Sequence, residues 1–240
     1  MQPLSSPRFT LNEQHWPWQQ SLAKLRLVST RVSHAPLSCH DLAHYDFALP
    51  SSLDKAAPKR RAEFMAGRLC ARRALGLVQG KESVPSIGPD RAPLWPTGAV
   101  GSISHSDSWA AALVGSQDHY LGLGIDIEPY LSGSDSQKLA TALLTAAERE
   151  RFNELTAAQF AFMVTLTFSL KESLFKALYP LVSRRFYFED AEVVAWNITT
   201  GTARLRLLSH LSADWPKGSE LAAHFCQHYG HLWCLVAIAA

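Results

Sequence analysis

The chain has 240 residues, 47% of them hydrophobic and 18% charged, which is enough apolar material for one compact unit or two small fused ones and too much for a disordered chain. Its 23 basic and 21 acidic residues leave a net charge of +2, so there is no bulk field to hold nucleic acid or a membrane surface, and any anion site has to be local. No apolar run approaches the roughly 20 residues of a membrane-crossing helix, and residues 1–10 carry two prolines without the apolar stretch of a secretion signal, so a cytoplasmic protein is expected.

Residues 1–57, rich in Pro, Ser and His, read as irregular apart from one short strand at 45–49. From 58 to about 80 the composition predicts a helix: a proline opens it, Ala, Glu, Met, Leu and Arg carry it, and Gly80 stops it, with Gly76 as an earlier stop. The passage 83–98 holds four prolines and leads into three short strands at 100–105, 110–114 and 121–127. Helical periodicity returns over about 136–155 and over 158–181, followed by strands at 186–197, 203–209, 221–228 and 232–239. Helix then antiparallel strands, twice over, gives the expected fold: α+β, two similar α/β halves in a pseudo-twofold arrangement, each a small, mainly antiparallel sheet packed with helices. The halves would be residues 1–122 and 123–240, meeting near Gly122 and Gly124, with a ligand cleft between them.

Four scattered cysteines suit reduced thiols rather than a disulfide scaffold. His224, Cys226, His228, His231 and Cys234 look like metal ligands, but no C-x2-C pair is present, and Tyr229–Gly230 between two alternating segments reads as the turn of a terminal hairpin.

Four groups of residues carry possible chemistry. In Gly124-Ile-Asp-Ile-Glu128, strand alternation turns Asp126 and Glu128 to one face and the isoleucines to the other. Two adjacent acids repel, which a hard cation such as Mg2+ would relieve, although a solvated strand face also fits. Along the helix at 158–181, Met163, Leu166, Leu170, Leu174, Ala177 and Leu181 gather on one side, with Glu172 and Lys176 opposite. That pair could be an ordinary surface ion pair, but Phe168, Phe175 and Tyr179 beside Glu172 suggest a cleft wall. Arg61, Arg68 and Arg72 form a stripe on the first helix inside an apolar border, where guanidinium groups need an anion or must snorkel out, while Glu63 and Arg73 are placed on the polar side. In Gly101-Ser-Ile-Ser-His-Ser106, neighbouring strand residues point to opposite faces, so Ser104 and His105 cannot work as nucleophile and base. The histidine either packs in the sheet or meets a phosphate.

These segments, in this order, resemble the 4'-phosphopantetheinyl transferases, in particular the enterobactin-synthesis branch of the larger two-half class. The likeness rests on Lys59-Arg-Arg-Ala-Glu-Phe-Met-Ala-Gly-Arg68, Pro93-Leu-Trp-Pro96, Gly101-Ser-Ile-Ser-His-Ser106, Gly124-Ile-Asp-Ile-Glu128 and Phe168-Ser-Leu-Lys-Glu-Ser173 with Lys176, and so spans 59–176. The chain departs at Phe168, where the family commonly has tryptophan. The resemblance implies transfer of the 4'-phosphopantetheine arm of coenzyme A to a serine of an acyl, peptidyl or aryl carrier protein, in siderophore, polyketide or fatty-acid synthesis, with release of 3',5'-ADP. By the same resemblance Asp126, Glu128 and Glu172 would hold Mg2+ (Mn2+ as a substitute). Glu172 or Glu148 would act as general base and Lys176 would neutralise phosphate, while Arg60, Arg61, Arg68, Arg91, Ser104 and His105 would bind the coenzyme, His105 at its 3'-phosphate. A monomer that needs no nucleic acid or membrane is expected. Two other readings suit the same residues: a noncatalytic module binding coenzyme A or a carrier protein, and a metal-dependent hydrolase of a pyrophosphate.

Overall fold

The computed structural model describes residues 7–33 and 35–240; the first six, on which the expectation of a leaderless start partly rests, lie outside the described residues. Where the sequence reads as irregular, a strand forms. β1 (Leu25–Arg31) buries Leu25, Leu27 and Val28 but also Ser29 and Thr30, and those two polar residues hide it from a hydrophobic pattern. A short helix, α1 (Cys39–His44), is held by a capping box between Ser38 and Asp41. The strand expected at 45–49 is not there. The segment continues out of α1 through turn hydrogen bonds, Phe47 N–H donating to Leu42 O, and Phe47 packs on Phe64.

The first long helix, α2 (Pro58–Gln79), agrees with expectation, with proline in its first turn and Gly80 at φ 74° as its cap. A small hairpin of two-residue strands, β2 (Ser86–Ile87) with β3 (Pro93–Leu94), precedes β4 (Ala99–His105), β5 (Trp109–Ser116) and β6 (Tyr120–Pro129). The single helix expected over 136–155 is instead two, α3 (Gly133–Leu143) and α4 (Ala146–Phe152), because Thr145 and Glu148 form a capping box that starts a new helix in mid-segment. Then come α5 (Ala157–Val182) and four strands, β7 (Ala191–Asn197), β8 (Thr202–Leu207), β9 (Glu220–His228) and β10 (His231–Ala239); a 3-10 turn at Phe188–Asp190 occupies the first part of the strand expected from 186. The β9–β10 turn at Tyr229 and Gly230 has φ of 46° and 75°, so the His and Cys residues there belong to a hairpin, as expected, and the four cysteines are free thiols.

The strands form a three-stranded sheet, β1-β5-β4, covered by α2, and a five-stranded sheet, β6-β10-β9-β8-β7, crossed by α5, both antiparallel. The result is a mixed α/β architecture of antiparallel sheets and helices. The sheets meet at their edge strands through side chains: Ser102 Oγ accepts from Ile125 N–H at 3.0 Å and Ser104 Oγ from Ile127 N–H at 3.2 Å. Equal steps along both strands mean that β4 and β6 run the same way, joined by hydroxyls in place of a backbone ladder. One face of this seam is sealed by a shared core, in which Leu27, Trp109 and Leu113 from one sheet pack with Leu123, Ile125, Ile127 and Trp233 from the other. α5 crosses the other face, and the two glycines of β6 are what let it in. A Cβ on Gly124 would fall inside the carbonyl oxygen of Ser173, and one on Gly122 inside that of Ala177.

Candidate active site

Because Ile125 and Ile127 take the sealed face, Asp126 and Glu128 emerge beneath α5, where Glu172 and Lys176 come down from one turn of that helix. Lys176 Nζ donates to Asp126 Oδ1 at 2.6 Å and to Ile125 O at 3.0 Å, with Ser104 Oγ 3.3 Å away. Ser104 donates to the same carboxylate oxygen at 3.1 Å. Asp126 is thus anchored through Oδ1, while its buried Oδ2 has no partner. The acids feel one another. Burial, then the charges of Asp126 and Glu172, push the Glu128 carboxyl up to about 8, against the opposing pull of Lys176. Burial and Asp126 likewise raise Glu172, again with Lys176 opposing. Among the described residues, no three His, Cys, Asp or Glu side chains stand close enough to hold a metal ion, so the three acids share a field without forming a ready-made cage.

The cationic flank lies on α2 and the end of β4. Arg60 Nη1 meets His105 Nε2, and Glu63 Oε2 lies 3.6 Å from His105 Nδ1. Burial, then Arg60 and Lys176, hold the imidazole down to about 4. Arg61 is half-buried, its Nε without a partner. Arg68 is buried over the Phe64 ring, its Nη1 also unpartnered and its guanidinium lowered to about 10 by burial. Arg91, exposed and at φ 71°, comes from the far wall, the β2–β3 hairpin. Between that hairpin, β4 and α5 opens a cavity of about 380 Å³ lined by Arg91, Trp95, Glu172, Phe175, Lys176 and Tyr179. A second cavity, about 240 Å³, adjoins it through Glu172, Phe175 and Arg185 and is walled by Phe186, Tyr187 and Phe188.

Five expectations need correcting. Glu148 is fully buried and bonded to Lys171 Nζ, Thr145 N–H and Val193 N–H, which uses both of its oxygens inside the core and leaves none to act as a base in the cleft. Ser104 spends its hydroxyl on Asp126 and Ile127, so it orients the acid instead of facing a ligand. Arg72 leaves the arginine stripe to bind Tyr45 O at 2.7 Å and pair with Glu82. Glu63, placed by its pattern on the polar side, is buried. Phe175 and Tyr179 line the cleft as expected, stacked 5.0 Å apart, whereas Phe168 turns away onto Phe188. Arg185 carries no signal in the sequence: it follows the left-handed Ser183 that ends α5, and only that turn aims it at the cavities.

Acids on β6, an acid and a lysine on the helix that crosses it, and arginines on α2 thus gather around the seam of the two sheets, and comparison with known proteins says which family shares this chain's pattern. Residues 49–115 match the 4'-phosphopantetheinyl transferase N-terminal domain and residues 122–231 the 4'-phosphopantetheinyl transferase superfamily. The chain is 34% identical over 192 residues to enterobactin synthase component D of Escherichia coli (strain K12), covering 78% of this chain and 84% of that protein. It is 38% identical over 156 residues to the 4'-phosphopantetheinyl transferase Svp of Streptomyces mobaraensis, covering 64% and 62% respectively. With the 4'-phosphopantetheinyl transferase Npt of Nocardia iowensis, identity is 34% over 149 residues, covering 62% of this chain and 65% of that one. The chain belongs to the 4'-phosphopantetheinyl transferase family and is an enzyme of that type, acting on carrier proteins with coenzyme A as substrate.

Proposed function

We propose that this cleft transfers the 4'-phosphopantetheine arm of coenzyme A to a serine of an acyl, peptidyl or aryl carrier protein and releases 3',5'-ADP. The observation that carries the reading is the meeting of Asp126, Glu128, Glu172 and Lys176 beside the Arg60–His105 contact, with Glu172 and Lys176 also lining the cavity between α5 and the β2–β3 hairpin. Arg60 and His105 meet the 3'-phosphate, with Arg61 and Arg68 as further cations on α2, and Arg91 reaches the pyrophosphate from the opposite wall. The adjoining aromatic cavity takes the arm.

The donor set suits Mg2+ or Mn2+. The oxygens are hard, Asp126 Oδ2 is buried without a partner, and the carboxyls hold one another above their ordinary range, which a cation would reverse. Asp126, Glu128 and Glu172 would hold it, one or two of them with phosphate oxygens completing the set, and once bound it supplies charge neutralisation at the pyrophosphate. Lys176 swings from Asp126 to the phosphates and balances charge on the leaving group. Glu172, on α5 at the wall of the cavity, accepts the serine proton. The serine oxygen bonds to the phosphorus that bears the arm, the bond from that phosphorus to the bridging oxygen breaks, and 3',5'-ADP leaves with the electron pair.

We read residues 1–122 and 123–240 as halves related by a pseudo-twofold axis, each lending one wall to the cleft. Since one chain supplies both walls, the enzyme acts as a monomer, and we place it in the cytoplasm; no helix among the described residues is long and apolar enough to cross a membrane. The test is mass spectrometry of an apo carrier protein incubated with coenzyme A and Mg2+. The arm appears covalently on the carrier, and D126N and E172Q each lower the rate at least 100-fold without loss of folding. Binding without an adduct, or release of phosphopantetheine with no carrier present, would favour the binding module or the hydrolase.

A further inference from the structure

Glu63 is an acid in the second turn of α2 that solvent hardly reaches, 5% exposed, and nothing in the transfer chemistry uses it. Burial of a carboxylate is costly unless it answers a charge. Its Oε1 lies 3.9 Å from Lys59 Nζ, one turn back, and its Oε2 lies 3.6 Å from His105 Nδ1. The other ring nitrogen, Nε2, meets the Arg60 guanidinium. A guanidinium can only donate, so Nε2 offers its lone pair to Arg60 and the ring proton sits on Nδ1, toward Glu63. An acid–histidine–arginine chain therefore runs from α2 through the end of β4 and back to α2. The imidazole is further surrounded by the cations Lys59 and Lys176 and the anion Asp126, with Asp107 paired to Lys59.

We propose that Glu63 is a positioning residue for the coenzyme: its carboxylate, 3.6 Å from Nδ1, holds the ring with Nε2 on the Arg60 side and answers the charge of the imidazolium that forms when His105 takes up a proton at Nε2 and donates it in a hydrogen bond to the bound 3'-phosphate. The inference rests on the assignment of His105 to that phosphate made above. Glu63 itself does not touch the coenzyme, so its removal acts on affinity for one phosphate group and not on the transfer step.

The experiment compares coenzyme A with dephospho-coenzyme A, which lacks the 3'-phosphate, as substrates of the wild type, H105A, E63Q and E63D, with thermal melting of each. E63Q keeps an acceptor for Nδ1–H but removes the charge. It raises KM for coenzyme A about tenfold, as expected for weakening a charge-assisted contact, while kcat and the KM for dephospho-coenzyme A stay at wild-type values; E63D falls between. H105A loses the preference for coenzyme A altogether. A rise in KM of the same size for both substrates makes Glu63 structural and overturns the proposal, as does an unchanged KM for coenzyme A in a folded E63Q. If H105A keeps the preference, the assignment of His105 falls and takes the proposal with it; if H105A loses it and E63Q does not, only the role of Glu63 is refuted.

Discussion

Replacing Glu148 by glutamine separates two roles that its place in the chain leaves open. Glu148 Oε2 accepts from Lys171 Nζ at 2.8 Å and Thr145 N–H at 2.9 Å, and Oε1 accepts from Val193 N–H at 2.7 Å. Lys171 is 3% exposed and donates in addition to Leu143 O and Phe188 O. Glutamine has one oxygen for three donors, its amide N–H groups confront at least one of them, and the ammonium keeps only carbonyl partners. Breaking a buried ion pair from one side costs about 3–5 kcal/mol, whereas exchanging both members for apolar residues of similar volume is close to neutral. At about 2–4 °C per kcal/mol for a chain of this length, E148Q should melt about 10 °C below wild type, and the double variant E148L/K171M, which leaves the Thr145 and Val193 N–H groups and the Leu143 and Phe188 carbonyls without these partners, should recover only part of that difference. Denaturant midpoints and melting curves measure the stability, and carrier labelling well below the melting temperature measures turnover. The expected E148Q turnover under those conditions is within a fewfold of wild type. A variant of wild-type stability whose turnover is down 100-fold or more would refute the structural role and restore Glu148 as a base.

Gly124→Ala drives a methyl group into the Ser173 carbonyl of α5, a backbone atom that cannot step aside without moving the helix. We expect at least 3 kcal/mol of destabilisation or no soluble protein, and a stable G124A with normal labelling would contradict the close crossing of β6 and α5. Glu128 supplies a pH dependence. Its carboxyl titrates near 8 in the fold and near 4.5 when exposed, so between those values the folded state binds the extra proton and metal-free stability falls as pH rises through about 8. Mg2+ binds the ionised form, so it should raise the melting temperature more at about pH 8.5 than at about pH 6 and release protons on binding. E128Q should flatten the metal-free profile over that range; an unchanged profile would mean that another group titrates there.

Much of this molecule is legible in the chain because its signals are local. Pro58 and Gly80 bracket α2, alternation lays out β4 to β6 and β8 to β10, and the D-x-E step on β6 with the glutamate and lysine one turn apart on α5 names the acids and the cation without any coordinates. The errors share one cause. β1 hides because Ser29 and Thr30 are polar yet buried at a pairing visible only across 80 residues, and the break between α3 and α4 depends on one capping box inside a helical composition. Glu148, Lys171 and Glu63 are charged residues that a pattern assigns to solvent. Whether an acid of this kind is a base, a buried counter-ion or a prop for a histidine depends on which distant groups desolvate and answer its charge, here Val193 and Phe188 for one pair and His105 for the other acid. Sequence alone therefore determined most of the elements, the family and the type of group at each corner of the cleft, since periodicity and residue type are properties of neighbours along the chain. The fold alone decided which of those groups share a field, because burial and Coulomb energy depend on distances in space that the seam between β4 and β6 creates.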